Sequence, residues 1–228
     1  MQPDVSTGAL PDRGSRHFPY AATLWDLDGT LVDSEPVHRR SFLDAAVAFG
    51  ISLPEDFHDR LIGMSEEAIH RVMVERYGLD ASLARWTESR FAAFLARIGE
   101  VEPMPLAHDL WQKVAVMGVT QAIVSNGPRP IVRANVERLG LSPDEVLTIS
   151  RDDVEKGKPA PDPYLLAAER LSVAPRDVAV VEDSLSGLEA ATAAGMSVFM
   201  MPGFENGEGR GWQPVDVLQR AVQQVFPV

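Results

Sequence analysis

The stretch LWDLDGTLVDSEPVH, residues 24–38, decides how this chain is read. An apolar run ends on Asp26 and Asp28, two positions apart, and Gly29 and Thr30 follow. Like charges so close repel, and burying them costs several kcal/mol unless something compensates. Taken alone, Asp-Gly is an ordinary turn signal. The rest of the chain decides between an acidic turn and a site built to hold a cation.

Four further apolar runs end in turn signals or polar residues: TQAIVS (120–125), EVLTIS (145–150), DVAVVE (177–182) and MSVFMM (196–201). With YAATLW (20–25) they read as strands, and helical patterns lie between the later ones. RPIVRANVERLG places Ile131, Val132, Val136 and Leu139 at helical spacing and stops at Gly140. DPYLLAAERLS offers Asp162 as N-cap with Pro163 at the first helical position. SLSGLEAATAAG ends at Gly195, a left-handed C-cap. Continuous apolar strands alternating with helices predict an α/β fold. Its doubly wound parallel sheet has five to six strands and is covered on both faces.

Roughly 95 residues separate the first strand from the second, far more than a normal crossover. From about 34 to 104 the pattern is helical with no clear strand. EPVHRRSFLDAAVAFG repeats Val37, Leu43, Ala46 and Val47 and stops at Gly50; SEEAIHRVMVERYG starts on Ser65; WTESRFAAFLARIG is the third helix. The expected organisation is a tail over 1–19, a catalytic core from 20–33 and 105–228, and an inserted helical unit over 34–104. The spaced glycines of GFENGEGRG (203–211) do not open a helix after a strand, so they read as a surface loop and not as a dinucleotide site.

Composition narrows the partners. The chain has 228 residues and is 45% hydrophobic, enough for a sizeable core. Its net charge of -12 argues against nucleic acid. A local cationic pocket for a small anion stays open on an acidic protein. With no cysteine, disulfides and thiolate ligands are excluded. Apolar runs are too short to span a bilayer. The polar, Pro/Gly-rich start has no apolar signal segment, so the expected location is the cytoplasm.

The carboxyl ends of parallel strands form the binding crevice in such sheets. Strand one delivers Asp26 and Asp28 there, and strand two Ser125, Asn126 and Gly127. Lys158, in KGKPAPDP, comes after strand three, and strand four brings Glu182 and Asp183. Lys156 competes with Lys158 as anion binder, but Pro159 keeps Lys158 out of the helical region and favours it. Glu182 and Asp183 also suit a helix cap.

DLDGT, IVSNG, the lysine of GKPAPD and VVEDS, in that order and at strand ends, resemble the four motifs of the haloacid dehalogenase-like phosphotransferases. The helical insertion is similar to that family's cap domain. The resemblance implies a phosphoric monoester hydrolase that uses Mg²⁺ and acts on a small phosphorylated metabolite, as a monomer or homodimer, with no nucleic acid or membrane partner. Asp26 is then the nucleophile and Asp28 the general acid/base. Ser125, Asn126, Gly127 and Lys158 hold the phosphoryl oxygens. Asp26, Asp28 (through its carbonyl), Glu182 and Asp183 surround the metal, Glu182 directly or from behind. This chemistry suits the residues, since a carboxylate attacks a phosphoryl anion only where cations mask its charge.

His38 matches a histidine near the hinge of β-phosphoglucomutase-like members and is a candidate substrate contact. Arg60, Arg71, Arg90 and Arg97 are candidate cap cations. A mutase would need a second cation for the distal phosphate. GMSEE carries Glu66 where the mutase-like segment has arginine, and Pro128 and Arg129 stand near where it has lysine and asparagine. A hydrolase is therefore expected, with a phosphomutase as the alternative and a non-catalytic domain of the same fold behind it.

Overall fold

The computed structural model describes residues 18–61, 64–204 and 211–225. Most of the expected tail (1–17) and of the glycine-rich loop (205–210) lie outside the described residues.

The main sheet is built from β1 (Ala22–Trp25), β4 (Thr120–Val124), β5 (Leu147–Ile149), β6 (Val178–Glu182), β7 (Ser197–Met200) and β8 (Trp212–Pro214). Its order is β5-β4-β1-β6-β7-β8, and every pairing is parallel. Successive side chains leave a strand on opposite faces. Ala22 and Leu24 therefore pack with α6 (Asp162–Leu171) and α7 (Leu185–Ala193), while Trp25 packs with α4 (Pro105–Val116), α5 (Arg129–Arg138) and α8 (Val215–Val225). Burial on both faces explains why the strands read as unbroken apolar runs. Chain order reverses around central β1, and the crevice at its carboxyl end lies between β4 and β6.

The insertion holds α1 (Glu35–Ala48), α2 (Glu66–Tyr77) and α3 (Leu83–Ala96). They enclose their own apolar cluster, with Phe42, Phe57, Met73 and Trp86 at its centre. The Ser65 hydroxyl caps α2 by accepting from Ala68 N. Two short strands, β2 (Val32–Asp33) and β3 (Glu102–Pro103), pair antiparallel where the chain leaves and re-enters the sheet domain.

Several expectations need correction. β3 lies inside the segment read as strandless; two residues are too few to show alternation. α3 starts at Leu83, capped by Ser82, ahead of the expected tryptophan. Asp162 is not the N-cap of α6: Pro161 is, without a side-chain bond, and Asp162 sits in the first turn, where an acid complements the helix dipole. β8 went unread because glycines precede it. No described helix is long and apolar enough to cross a membrane.

Candidate active site

β1 continues into Asp26, whose amide donates to Val181 O on β6. The carboxylate thus stands beside Glu182, the last residue of β6, and Asp183. Lys158, from the loop before α6, reaches in from the other side. Its ammonium donates to Asp26 Oδ1 at 2.6 Å, Glu182 Oε1 at 2.6 Å and Val124 O at 2.8 Å. Lys158 is buried and Lys156 exposed, which distinguishes the two candidates. The Lys158–Pro159 peptide is cis.

Glu182 is completely buried. Oε1 accepts from Lys158 and, at 2.7 Å, from the Tyr164 hydroxyl; Oε2 accepts from the Ser184 hydroxyl at 2.9 Å and the amides of Asp183 and Ser184. Both oxygens are thus well supplied with donors. The residue behind it is Gly187, where a methyl group would overlap the carboxylate. Asp183 accepts from the Thr30 hydroxyl at 3.1 Å, and Gly29, at φ +87°, leaves room for it where any side chain would collide.

One oxygen of each of Asp26, Glu182 and Asp183 lies within 4.8 Å of the others. Two of these three acids, Asp26 and Glu182, share the Lys158 ammonium. Burial and then Glu182 push the Asp26 carboxyl well above its ordinary range against the pull of Lys158, with Asp183 adding to the rise. Burial and then Glu182 likewise push Asp183 up to about 6. Burial opposes the charge on Lys158, but Asp26 and Glu182 outweigh it and hold the ammonium protonated. Such an excess of buried hard oxygen donors is what a divalent cation would relieve. The residues present fit one.

Asp28 sits in a different environment. Oδ1 accepts from Ser34 Oγ at 2.6 Å and Asn135 Nδ2 at 3.2 Å; Oδ2 accepts from Ser125 Oγ at 3.2 Å. His38 Nε2 lies 3.9 Å from Oδ1, its ring stacked on Phe94 at 4.3 Å. Burial raises the Asp28 carboxyl, yet His38, Ser34 and Ser125 together bring it below the ordinary value.

The loop after β4 was expected to face the phosphoryl group. Here the Ser125 hydroxyl is engaged with Asp28 and accepts from Gly127 N at 2.9 Å. Asn126 clamps the backbone of Lys158, donating to its carbonyl at 2.9 Å and accepting from its amide at 2.8 Å. The sequence reading missed Thr30, Ser34, Asn135 and Tyr164. Asn135 left a signal: a polar residue on the apolar face of α5. Thr30 stands in the DLDGT motif without a role read for it, and Ser34 and Tyr164 left no signal.

Among the cap cations, Arg90 pairs with Glu66 at 2.5 Å and lies over the Phe42 ring; Arg60 pairs with Asp56, and Arg97 with Asp44 and Glu100. Arg71 is exposed. Arg129 binds Asp153 at 3.1 Å.

A family model of the haloacid dehalogenase-like hydrolases matches residues 20–195. This chain belongs to that family. The phosphorylated carbohydrates phosphatase of Thermotoga maritima is 31% identical over 179 residues, 77% of this chain and 82% of that protein. Hexitol phosphatase A of Escherichia coli is 34% identical over 183 residues, 77% of this chain and 80% of its own length. The solved structure of CbbY from Rhodobacter sphaeroides in complex with phosphate superposes with a TM-score of 0.76 at 28% identity, covering 86% of this chain and 92% of that one. A variant of that protein was solved with xylulose-(1,5)bisphosphate. The sheet with helices on both faces and the helical insertion are thus the architecture of haloacid dehalogenase-like hydrolases.

Proposed function

We propose that this chain is a Mg²⁺-dependent phosphatase of a small sugar or sugar-acid monophosphate, working through a phosphoaspartate on Asp26. The observation that carries the reading is the buried Lys158 ammonium shared between Asp26 and Glu182, with Asp183 completing an acidic cluster at the end of β1. The names of relatives that are phosphatases of phosphorylated carbohydrates and hexitols agree with it.

Asp26 and Asp183 would hold the metal with the Asp28 carbonyl, and bound Mg²⁺ would mask phosphoryl charge. Glu182, with both oxygens taken up by donors, acts from behind by fixing Lys158. The Asp26 carboxylate attacks phosphorus, the ester P–O bond breaks, and Asp28 gives its proton to the departing alkoxide. Asp28 is ionised in the free site. An incoming phosphate dianion raises its proton affinity, as nearby like charge does for any carboxyl, so Asp28 takes the proton it later gives from solvent as substrate binds. Asp28 then takes a proton from water as that water attacks the phosphorus. The bond to Asp26 breaks and inorganic phosphate leaves. Lys158 steadies the charge on Asp26 and the phosphoryl oxygens throughout.

Hydrolysis is favoured over mutase chemistry because Arg90 of the cap is already neutralised by Glu66. A distal phosphate would meet that carboxylate and be repelled. A panel of sugar, sugar-alcohol and sugar-acid phosphates, assayed for phosphate release with Mg²⁺, tests the activity. A coupled assay on β-glucose 1-phosphate with a bisphosphate primer tests the alternative. Release from a monophosphate is expected; isomerisation faster than release would replace this reading with a mutase.

A further inference from the structure

The buried face of α5 carries one polar side chain. Ile131, Val132 and Val136 pack into the core, and Asn135 lies among them, fully buried. Its Nδ2 donates to Asp28 Oδ1 at 3.2 Å, while its Oδ1 has no partner among the described residues. An unpaired buried carbonyl oxygen lowers stability. A leucine of similar size would avoid that cost at this position. What the asparagine adds is its one bond, and that bond ends on Asp28.

Asp28 Oδ1 takes its second bond from Ser34, the residue that precedes α1 where the chain enters the cap helices. Donors from two separate elements, α5 in the core and the entry to the cap, therefore meet on one carboxylate oxygen. Ser125 holds the other oxygen. The three donors together fix the carboxylate's torsions without help from substrate, so removing Asn135 leaves Oδ1 with a single donor from the entry to the cap.

We infer that Asn135 is a positioning residue for the acid/base step, aiming the Asp28 carboxylate from behind without touching substrate; this rests on the proposed role of Asp28. Its loss weakens only steps in which Asp28 moves a proton. An aliphatic sugar phosphate needs that proton on its leaving oxygen. p-Nitrophenyl phosphate does not, because nitrophenolate leaves unprotonated.

The test is Asn135→Leu in the full chain, with Asn135→Ser, whose hydroxyl is too short to reach Asp28, as the second variant should leucine not fold. We expect kcat on the aliphatic phosphate to fall at least about tenfold, kcat on p-nitrophenyl phosphate to fall less than about threefold, and KM to stay within about twofold. In an Asp28→Asn background the second substitution should change nothing further, since both act through one group. Equal losses on both substrates, or an undiminished further loss in that background, would overturn the inference. A crystal structure of the variant reads the same point without activity: the Asp28 carboxylate should leave its present orientation, and an unchanged carboxylate would overturn the inference. A wild type that releases no phosphate from any ester would sink the proposed activity, and the crystal structure would still judge Asn135.

Discussion

Replacing Asp183 with asparagine should stabilise the metal-free protein. The side chain keeps its shape, and the amide oxygen still accepts from Thr30. What disappears is a charge forced against Glu182 in a buried site. The folded carboxyl titrates at about 6 against an ordinary 3.8. That rise corresponds to roughly 3 kcal/mol of destabilisation once the group is ionised in both states. The sign follows from proton counts: between pH 4 and 6 the folded state holds more protons than the unfolded one, so stability falls as pH rises through that window. At pH 7.5 the full penalty is present. In excess chelator, Asp183→Asn should therefore unfold about 6–12 °C above wild type, a protein of this size moving about 2–4 °C per kcal/mol. Saturating Mg²⁺ should reverse the order, raising wild type by binding the native state and leaving the variant nearly unmoved. Thermal unfolding by circular dichroism, with and without chelator at pH 4.5 and 7.5, reads all of this. A variant no more stable than wild type in chelator, or one that gains as much from Mg²⁺, would refute the reasoning.

Asp28→Asn should cut kcat on an aliphatic sugar phosphate about a hundredfold or more and cost far less on p-nitrophenyl phosphate, as expected for a lost proton donor; parallel losses in a steady-state comparison would give Asp28 another role. Lys158→Met should abolish turnover and lower stability by about 3 kcal/mol in urea unfolding, because it strips Asp26 and Glu182 of their shared buried counter-charge. An unchanged midpoint would mean the acids are compensated elsewhere. Chelation should stop phosphate release and Mg²⁺ restore it, whereas Ca²⁺, with its larger and looser oxygen shell, should inhibit; full activity in excess chelator would exclude a metal at Asp26 and Asp183.

Much of this molecule was legible in its residues, for physical reasons. Strands buried on both faces are continuous apolar runs, and the crevice of a parallel sheet collects residues that follow those runs. Asp26, Lys158, Glu182 and Asp183 are thus brought together by the order of their strands alone. Side-chain partnership was less legible. The position of Glu182 leaves open whether it acts on a metal directly or from behind, and only the fold shows its oxygens met by Lys158, Tyr164 and Ser184. Tyr164 looked like one more apolar residue of α6, because only the fold brings its hydroxyl to β6. Ser125 reads either as an anion binder or as a cap of the loop that follows, and the fold shows its hydroxyl accepting from Gly127 N and donating to Asp28. The two-residue strands of the stem carry too few side chains to show a period. Asn135 was visible as a polar break in an apolar stripe, and its meaning came only from the distance to Asp28.

The central claim is that phosphate passes through Asp26. Rapid acid quench of the enzyme turning over a sugar phosphate with Mg²⁺, followed by peptide mass spectrometry, tests it directly. The account predicts one added phosphoryl group on the peptide containing Asp26, appearing with turnover, absent without substrate and absent in Asp26→Asn. Steady turnover with the phosphoryl group on another residue, or an Asp26→Asn variant that loses less than about tenfold in kcat, equivalent to under ~1.4 kcal/mol of barrier, would contradict it.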